Sequence, residues 1–288
     1  MTSNTTAPTQ FLRGRNETYA YRRFGGGPAC PLLFLQHFTG TLDNWDPAVT
    51  DLLATEREVI LFDSAGVGRS TGKVPTTVAG MASHALDFLS GLGLDRCDVL
   101  GFSLGGMVAQ QMVLDCPSIF RRMILVATAP RGGEDIMHLD KPSLARHLGD
   151  PTLKGYAVLQ KIFFAPTSSS QAAGGAFIER LARRGEDPDT ASGPAVAAAQ
   201  MAAFREWEQS AGARFADLKG INQPTLVVNG IHDEMISVSN SYRLAENLPN
   251  AVLLAYPDSG HGALFQFHDS FTRHAAAFLA SDSPFAPY

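Results

Sequence analysis

The chain has 288 residues, of which 45% are hydrophobic and 18% charged, and its formal net charge is −5 at pH 7. This composition predicts a folded globular protein and excludes a disordered chain. The net negative charge, with basic residues only in scattered pairs, argues against a nucleic-acid partner.

The compartment is predicted from what the sequence lacks. Three cysteines at unrelated spacings favour neither a disulfide framework nor a zinc site. No apolar stretch approaches the ~20 residues of a membrane span, and the polar start of the chain does not have the pattern of a signal peptide. We therefore expect a cytoplasmic protein, a monomer or homodimer, with no membrane partner, no metal and no cofactor.

Short apolar strands alternate with amphipathic helices along the chain. A flexible tail is predicted over residues 1–10, followed by a hairpin over Phe11–Phe24 that the glycines at 25–27 close. Further strands are predicted at Pro31–Gln36, Glu58–Asp63, Asp98–Phe102, Arg122–Ala127, Pro224–Asn229 and Ala251–Tyr256. Helices are predicted at residues 78–92 (with Thr76 or Thr77 as N-cap), at Leu104–Cys116, at Ser237–Leu248 and along the stripe from Leu264 to Phe278. This alternation is typical of an α/β fold with a doubly wound, mostly parallel sheet.

Residues 131–219 interrupt this alternation because they contain helical patterns but no convincing strand. The chain leaves the sixth strand and returns to the seventh, which favours a helical cap inserted in the sheet domain over an independent domain. The predicted organisation is a tail (1–10), an α/β core (11–130 and 220–288) and a cap (131–219).

The segment Gly101-Phe102-Ser103-Leu104-Gly105 contains the strongest chemical signal. A serine at a sharp turn between a strand and a helix is exposed above the sheet, where it can act as a nucleophile. Glycines on both sides allow the strand and the helix to approach closely. The sequence therefore predicts Ser103 as the nucleophile.

A serine hydroxyl needs a base, and the base needs a carboxylate that orients it. His261 follows the last predicted strand, and Asp233 follows the strand before it, so both lie at the carboxyl edge of the sheet. The chain order Ser103, Asp233, His261 is the order of the α/β-hydrolase triad. Glu234, Asp258 and Asp135 are the competing carboxylates, and His268 and His274 lie on the final helix.

The sequence resembles the α/β-hydrolase superfamily, and specifically its capped bacterial serine hydrolases. The segment Asp63–Ser70 is similar to the D-x-x-G-x-G-x-S loop of that family, and Cys116-Pro117 with residues 121–126 is similar to the segment after its nucleophile helix. The likeness runs from about Phe11 to Ala280. The serine nucleophile disfavours haloalkane dehalogenases and epoxide hydrolases, which carry an aspartate there.

The resemblance also implies an oxyanion hole. Many relatives carry His-Gly-x after the third strand, nine residues before a Trp, and counting back from Trp45 puts Gln36 at the His position and His37 at the Gly position. The backbone N–H groups of Phe38 and Leu104 would then bind the oxyanion. His37 is bulkier than glycine; it lines the pocket or only supports the loop.

The sequence predicts the substrate only as a chemical class. Phe163, Phe164 and Trp207 line an apolar pocket if they face the site; otherwise they belong to the core of the cap. The resemblance implies hydrolysis of a small carboxylic ester or lactone through an acyl-enzyme. Perhydrolysis as in cofactor-free haloperoxidases, C–C bond hydrolysis, iminopeptidase activity and a slow-turnover ligand sensor remain alternatives.

Overall fold

The computed structural model describes residues 2–281. Within this range eight strands form one sheet in the order β1-β2-β4-β3-β5-β6-β7-β8. They are β1 Gln10–Arg13, β2 Thr18–Gly25, β3 Ala29–Leu35, β4 Arg57–Phe62, β5 Cys97–Phe102, β6 Phe120–Val126, β7 Thr225–Gly230 and β8 Ala251–Tyr256. The pairs that involve β2 are antiparallel and the other pairs are parallel.

Ten α-helices accompany the sheet within residues 2–281. They are α1 Pro47–Leu53, α2 Val78–Gly91, α3 Leu104–Asp115, α4 Pro142–Leu148, α5 Tyr156–Phe163, α6 Ser168–Leu181, α7 Pro194–Trp207, α8 Val238–Asn247, α9 Ala263–Gln266 and α10 His268–Ala280. Every residue of the central strand β5 is buried, so both faces of the sheet are covered. The predicted fold class is therefore confirmed. None of these helices is long and apolar enough to cross a membrane.

The first hairpin forms where the sequence predicts it, but its turn was assigned to the wrong glycines. β1 and β2 are joined at residues 14–17, where the Gly14 N–H donates to the Glu17 carbonyl at 2.8 Å. Residues 25–27 instead lead into β3, which does not pair with β2. Gly25 has φ +82°, and a Cβ there would lie 2.5 Å from the Ala54 and Arg57 carbonyl oxygens. A Cβ on Gly27 would likewise overlap with the Glu56 carbonyl oxygen, so Gly25 and Gly27 serve a close crossing of the chain and not a hairpin.

The beginning of the chain is packed, which differs from the flexible tail predicted for residues 1–10. The Asn4 side-chain amide is buried and donates to the Trp45 carbonyl at 3.2 Å and to Thr50 Oγ1 at 2.9 Å. Arg184 donates to the carbonyl groups of Asn4 and Ala7, both at 2.9 Å. These partners are distant in sequence, so local composition did not indicate them. Met1 lies outside the described residues.

The segment between β6 and β7 holds helices α4–α7 and contributes no strand to the sheet. A buried ion pair joins it to the rest of the protein: Arg180 of α6 binds the fully buried carboxylate of Asp46, with Nη2 to Oδ2 at 2.7 Å. At the other end of the chain, the predicted final stripe is split into α9 and α10 at Phe267.

Candidate active site

Ser103 lies at the turn between β5 and α3 in a backbone conformation that non-glycine residues rarely adopt, with φ +56° and ψ −118°. The glycines beside it permit this turn. A Cβ on Gly105 would overlap with the Leu35 carbonyl oxygen, and a Cβ on Gly101 would overlap with the carbonyl of Gly105. The spacing of the glycines thus has a steric cause, because only hydrogen atoms fit where β5, β3 and α3 meet.

The strained turn is held in place by hydrogen bonds to the neighbouring strand. The Ser103 N–H donates to the Val126 carbonyl at 2.9 Å, and Thr128 Oγ1 donates to the Ser103 carbonyl at 2.8 Å. Both groups of the Ser103 backbone are therefore satisfied, and its side chain is free to point away from them. A strained backbone conformation of this kind persists only where the surrounding structure enforces it.

Asp233 and His261 form a buried pair at the carboxyl ends of β7 and β8. His261 Nδ1 donates to Asp233 Oδ2 at 2.8 Å, and both side chains are fully buried. The other oxygen, Oδ1, accepts from the N–H groups of Met235 at 2.9 Å and Ile236 at 3.0 Å. These three hydrogen bonds fix the carboxylate, so the proton of the neutral imidazole resides on Nδ1 and the lone pair on Nε2.

Ser103 Oγ and His261 Nε2 are both buried without a hydrogen-bond partner among the described residues. Their residues line the same cavity. In an unliganded site the bond between nucleophile and base is often long and tightens only around the reacting substrate. The structure therefore brings the three residues that the sequence selected to one site, where Ser103 Oγ and His261 Nε2 can still accept a partner.

Two of the three competing carboxylates are engaged elsewhere, and the third is exposed. Asp258 accepts from Thr167 Oγ1 at 2.7 Å and from Ser169 Oγ at 2.5 Å, so it holds the start of α6. Asp135 pairs with Lys141 at 2.7 Å. Glu234 is exposed. None of these three accepts from His261 among the described hydrogen bonds.

His37 is a buried, neutral imidazole beside this pair. Burial lowers the pKa of His37 to about 3, so its ring is uncharged at pH 7. Its Nδ1 donates to the Phe38 carbonyl at 2.8 Å, and its Nε2 has no partner among the described residues. The ring packs edge-on against Phe102 and Phe163, with centroids 5.4 Å and 5.1 Å away. Of the two roles that the sequence left open, the structure thus places His37 in the wall of the cavity.

The two predicted oxyanion donors lie near this wall. Phe38 lines the cavity, and Leu104 is the first residue of α3, where an N–H has no acceptor within its own helix. Among residues 2–281 no backbone acceptor is recorded for either N–H group. Both groups are thus free to donate to a ligand.

The cavity has a volume of about 330 Å³ and is shared by the sheet edge and the cap. From the cap it is lined mainly by one face of α5 and by the segment before α7: Leu148, Gly155, Tyr156, Val158, Leu159, Ile162, Phe163, Asp189, Ala191 and Ser192. Of the three predicted pocket aromatics, only Phe163 is among them. Its backbone carbonyl also accepts from the Gly262 N–H at 2.7 Å, which joins α5 to the loop that carries His261.

The assignment of Phe164 and Trp207 to the pocket was wrong. Phe164 packs against Phe177 with centroids 5.6 Å apart, inside the cap. Trp207 is fully buried; its Nε1 donates to the Ala129 carbonyl at 3.1 Å, and Arg131 lies over its ring at 4.2 Å. An aromatic side chain can pack in the core of the cap or line a pocket equally well, and the sequence alone does not distinguish these two positions.

An acidic pair that the sequence did not indicate holds the segment before α7. The Leu42 N–H lies 3.0 Å from Asp63 Oδ1 and 3.2 Å from Asp189 Oδ2, so the two carboxyl groups are adjacent. Burial and the neighbouring Asp189 raise the pKa of Asp63 well above its ordinary value. Through the Leu42 N–H, this pair brings the D-x-x-G-x-G-x-S loop next to Asp189, a residue of the cavity wall. Among residues 2–281, no group of three or more histidine, cysteine or acidic side chains is placed so that it could hold a metal ion.

Comparison with known proteins identifies the family of this chain. A sequence model of the alpha/beta hydrolase fold family matches residues 31–267. The chain therefore belongs to the α/β-hydrolase fold family, and the resemblance found in the sequence is confirmed.

Individual relatives are similar over nearly the whole chain. An alpha/beta hydrolase fold protein from Chitinophaga pinensis superposes with a TM-score of 0.90 at 38% identity, covering 97% of this chain and 100% of that one. A protein of Caulobacter sp. (strain K31), provisionally named carbamate hydrolase RutD, is 28% identical over 91% of this chain and 96% of its own length. The poly(3-hydroxyalkanoate) depolymerase of Ectopseudomonas oleovorans is 32% identical over 80% of this chain and 77% of its own length.

Proposed function

We propose that this chain is a serine hydrolase that cleaves a small carboxylic ester or lactone through an acyl-enzyme. The observation that carries the proposal is the buried Asp233–His261 hydrogen bond, 2.8 Å long, beside an unpartnered Ser103 Oγ in the same cavity. A buried hydroxyl and a buried imidazole nitrogen without partners are costly unless a ligand or reaction uses them.

The mechanism follows from the donors and acceptors on these residues. Ser103 Oγ attacks the carbonyl carbon while His261 Nε2 takes the hydroxyl proton, and Asp233 stabilises the imidazolium. The N–H groups of Phe38 and Leu104 bind the oxyanion. His261 then returns the proton to the leaving alkoxide, which leaves an ester on Ser103. A water molecule, deprotonated by His261, attacks that ester and releases the acid.

The cavity supports a small or medium acyl group. A volume of about 330 Å³ lies at the lower end of the range for ligand pockets. Its wall is apolar along α5, where Val158, Leu159 and Ile162 contribute aliphatic side chains, and polar near Asn44 and Ser192. The names of two relatives, a carbamate hydrolase and a polyester depolymerase, also support attack on an acyl carbonyl that carries an oxygen substituent.

The test is a panel of p-nitrophenyl esters from acetate to octanoate, simple lactones and a phenyl carbamate. Wild type is compared with Ser103→Ala and with Ser90→Ala, which changes an exposed serine on α2. We expect turnover with an optimum at a short acyl chain, lost by at least 10³-fold in Ser103→Ala and unchanged in Ser90→Ala. Full activity in Ser103→Ala would refute the mechanism. A burst of one product followed by very slow turnover would favour the ligand sensor instead.

A further inference from the structure

One peptide unit of the predicted oxyanion loop is held from both sides. The carbonyl of Phe38 accepts from His37 Nδ1 at 2.8 Å, and the N–H of Thr39 donates to Gln200 Oε1 at 2.6 Å. These two groups belong to the same peptide, between residues 38 and 39. Both side chains that bind it are buried, with exposed fractions of 5% for His37 and 4% for Gln200.

This peptide requires such support because the residue that follows it is strained. Thr39 has φ +58°, a left-handed conformation that is disfavoured for a β-branched side chain. Conformations of this kind cost of order 1–3 kcal/mol and persist only where neighbouring groups enforce them. The hydrogen bond from the Thr39 N–H to Gln200 is such a constraint, since it acts on the strained residue itself.

The constraint comes from the cap. Gln200 lies on α7, and Phe204, one turn later on the same helix, packs against the Phe38 ring with centroids 5.9 Å apart. Residues four apart share a face of a helix, so α7 presents both side chains to the loop. The contact therefore combines one hydrogen bond with one aromatic pair.

Gln200 also lies near Leu104, whose N–H group is the other predicted oxyanion donor. It lines a chamber of about 20 Å³ together with His37, Gly40, Leu104 and Gly105. A chamber of this size has room for about one water molecule. Gln200 thus bonds to the loop of Phe38 and lines the same chamber as the start of α3, which carries the Leu104 N–H.

We propose that Gln200 is a positioning residue for the oxyanion hole. By holding the peptide between residues 38 and 39 through the Thr39 N–H, it limits rotation about the Phe38 backbone and so orients the Phe38 N–H of the preceding peptide, so that the hole is complete only when α7 is docked. This inference rests on the proposed function and deepens it, since it assigns to the cap a part in transition-state binding besides forming the pocket. Gln200 itself does not touch the substrate.

The test replaces Gln200 by a side chain of similar length without an acceptor. In Gln200→Met we expect kcat to fall about 10- to 100-fold while KM changes by less than about threefold, because a misdirected donor weakens the transition state more than the ground state. Affinity for a trifluoromethyl ketone, which forms a tetrahedral oxyanion on Ser103, should fall by the same factor as kcat/KM. Gln200→Asn keeps a neutral amide but withdraws its oxygen by one C–C bond, so it should lower kcat in the same direction, again with little change in KM.

The matched control is Gln171→Met. Gln171 is a glutamine of α6 whose Nε2 donates to the Phe164 and Ala165 carbonyls at 3.2 Å, inside the cap and away from the loop. We expect this variant to lower the melting temperature and to leave kcat and ketone affinity unchanged.

The outcomes separate the inference from the function on which it rests. Unchanged kcat and ketone affinity in Gln200→Met, with wild-type activity that depends on Ser103, would overturn only the role of Gln200. Activity that does not depend on Ser103 would overturn both. If Gln200→Met does not fold, the comparison passes to Gln200→Asn: unchanged kcat and ketone affinity would contradict the inference, and a joint loss of both at a near-wild-type melting temperature would support it.

Discussion

The ion pair between Arg180 and Asp46 offers a direct test of how the cap is attached. Asp46 is fully buried, and its two oxygens receive Arg180 Nε at 2.8 and 3.1 Å and Nη2 at 2.7 Å. Arg180→Met removes the cation and leaves the carboxylate in place. The carboxylate then keeps one hydrogen bond: as the N-cap of α1, Asp46 Oδ1 accepts from the Ala48 N–H at 2.9 Å.

The magnitude follows from this burial. Removing one partner of a buried ion pair costs about 3–5 kcal/mol, because the other charge stays desolvated. Arg243→Met is the matched control, since Arg243 and Glu246 are 58% and 64% exposed and such pairs contribute only about 0–1 kcal/mol. Replacing both buried partners, as Asp46→Asn with Arg180→Met, should cost less than Arg180→Met alone, because asparagine is neutral and still caps the helix.

The assay is urea unfolding followed by circular dichroism and by tryptophan fluorescence. We expect the free energy of unfolding to fall by about 3–5 kcal/mol in Arg180→Met and by less than about 1 kcal/mol in Arg243→Met. Equal losses of unfolding free energy in Arg180→Met and Arg243→Met would contradict the predicted cost of the buried charge. A double variant no more stable than Arg180→Met would show that the stranded charge is not the source of the loss.

Three further changes test other parts of the structure. Because the folded-state pKa of His37 is lowered to about 3 from 6.5, stability is complete above pH 6.5 and falls as the pH drops through that value. Between pH 7 and pH 5 wild type should therefore lose about 2 kcal/mol more than His37→Gln in urea titrations; parallel losses would argue against it. Gly105→Ala should cost several kcal/mol or prevent folding, because its Cβ would overlap with the Leu35 carbonyl, whereas Gly175→Ala, with no atom nearer than 3.7 Å, should be neutral or slightly stabilising in thermal melts. Asp233→Asn should lower kcat by roughly 10⁴-fold with a near-wild-type melting temperature, since an amide there no longer fixes the tautomer of His261; a loss below tenfold would contradict the role of Asp233.

Local patterns were sufficient for the parts of the fold that local chemistry determines. The strand before Ser103 is a continuous apolar run, and the glycines at 101 and 105 mark the turn, so the strand–turn–helix that carries Ser103 could be predicted from a few residues. The N-cap Thr77 was one of two predicted candidates, and its side chain accepts from the Gly80 N–H in the structure. Such features depend on neighbours in sequence, which the sequence displays directly.

Features that depend on distant partners could not be predicted in the same way. The triple glycine at 25–27 is a stronger turn signal than residues 14–17, yet the pairing of β2 with β4 decided where the hairpin closes. Trp207 and Phe163 are both cap aromatics, and only packing separates the one in the core from the one in the cavity wall. Gln200 lies in an alanine-rich helix with no motif around it, so its bond to Thr39, 161 residues away in sequence, is visible only in three dimensions.

The most direct test of the central claim is covalent labelling of Ser103. The protein is incubated with an alkyl fluorophosphonate, and intact mass and peptide mapping locate the adduct. We expect one phosphonyl group per chain, on Ser103, absent from Ser103→Ala and formed at least ~100-fold more slowly in His261→Ala, because the imidazole must take the hydroxyl proton. An unmodified Ser103, an adduct on another residue, or a labelling rate unaffected by His261→Ala would contradict this expectation.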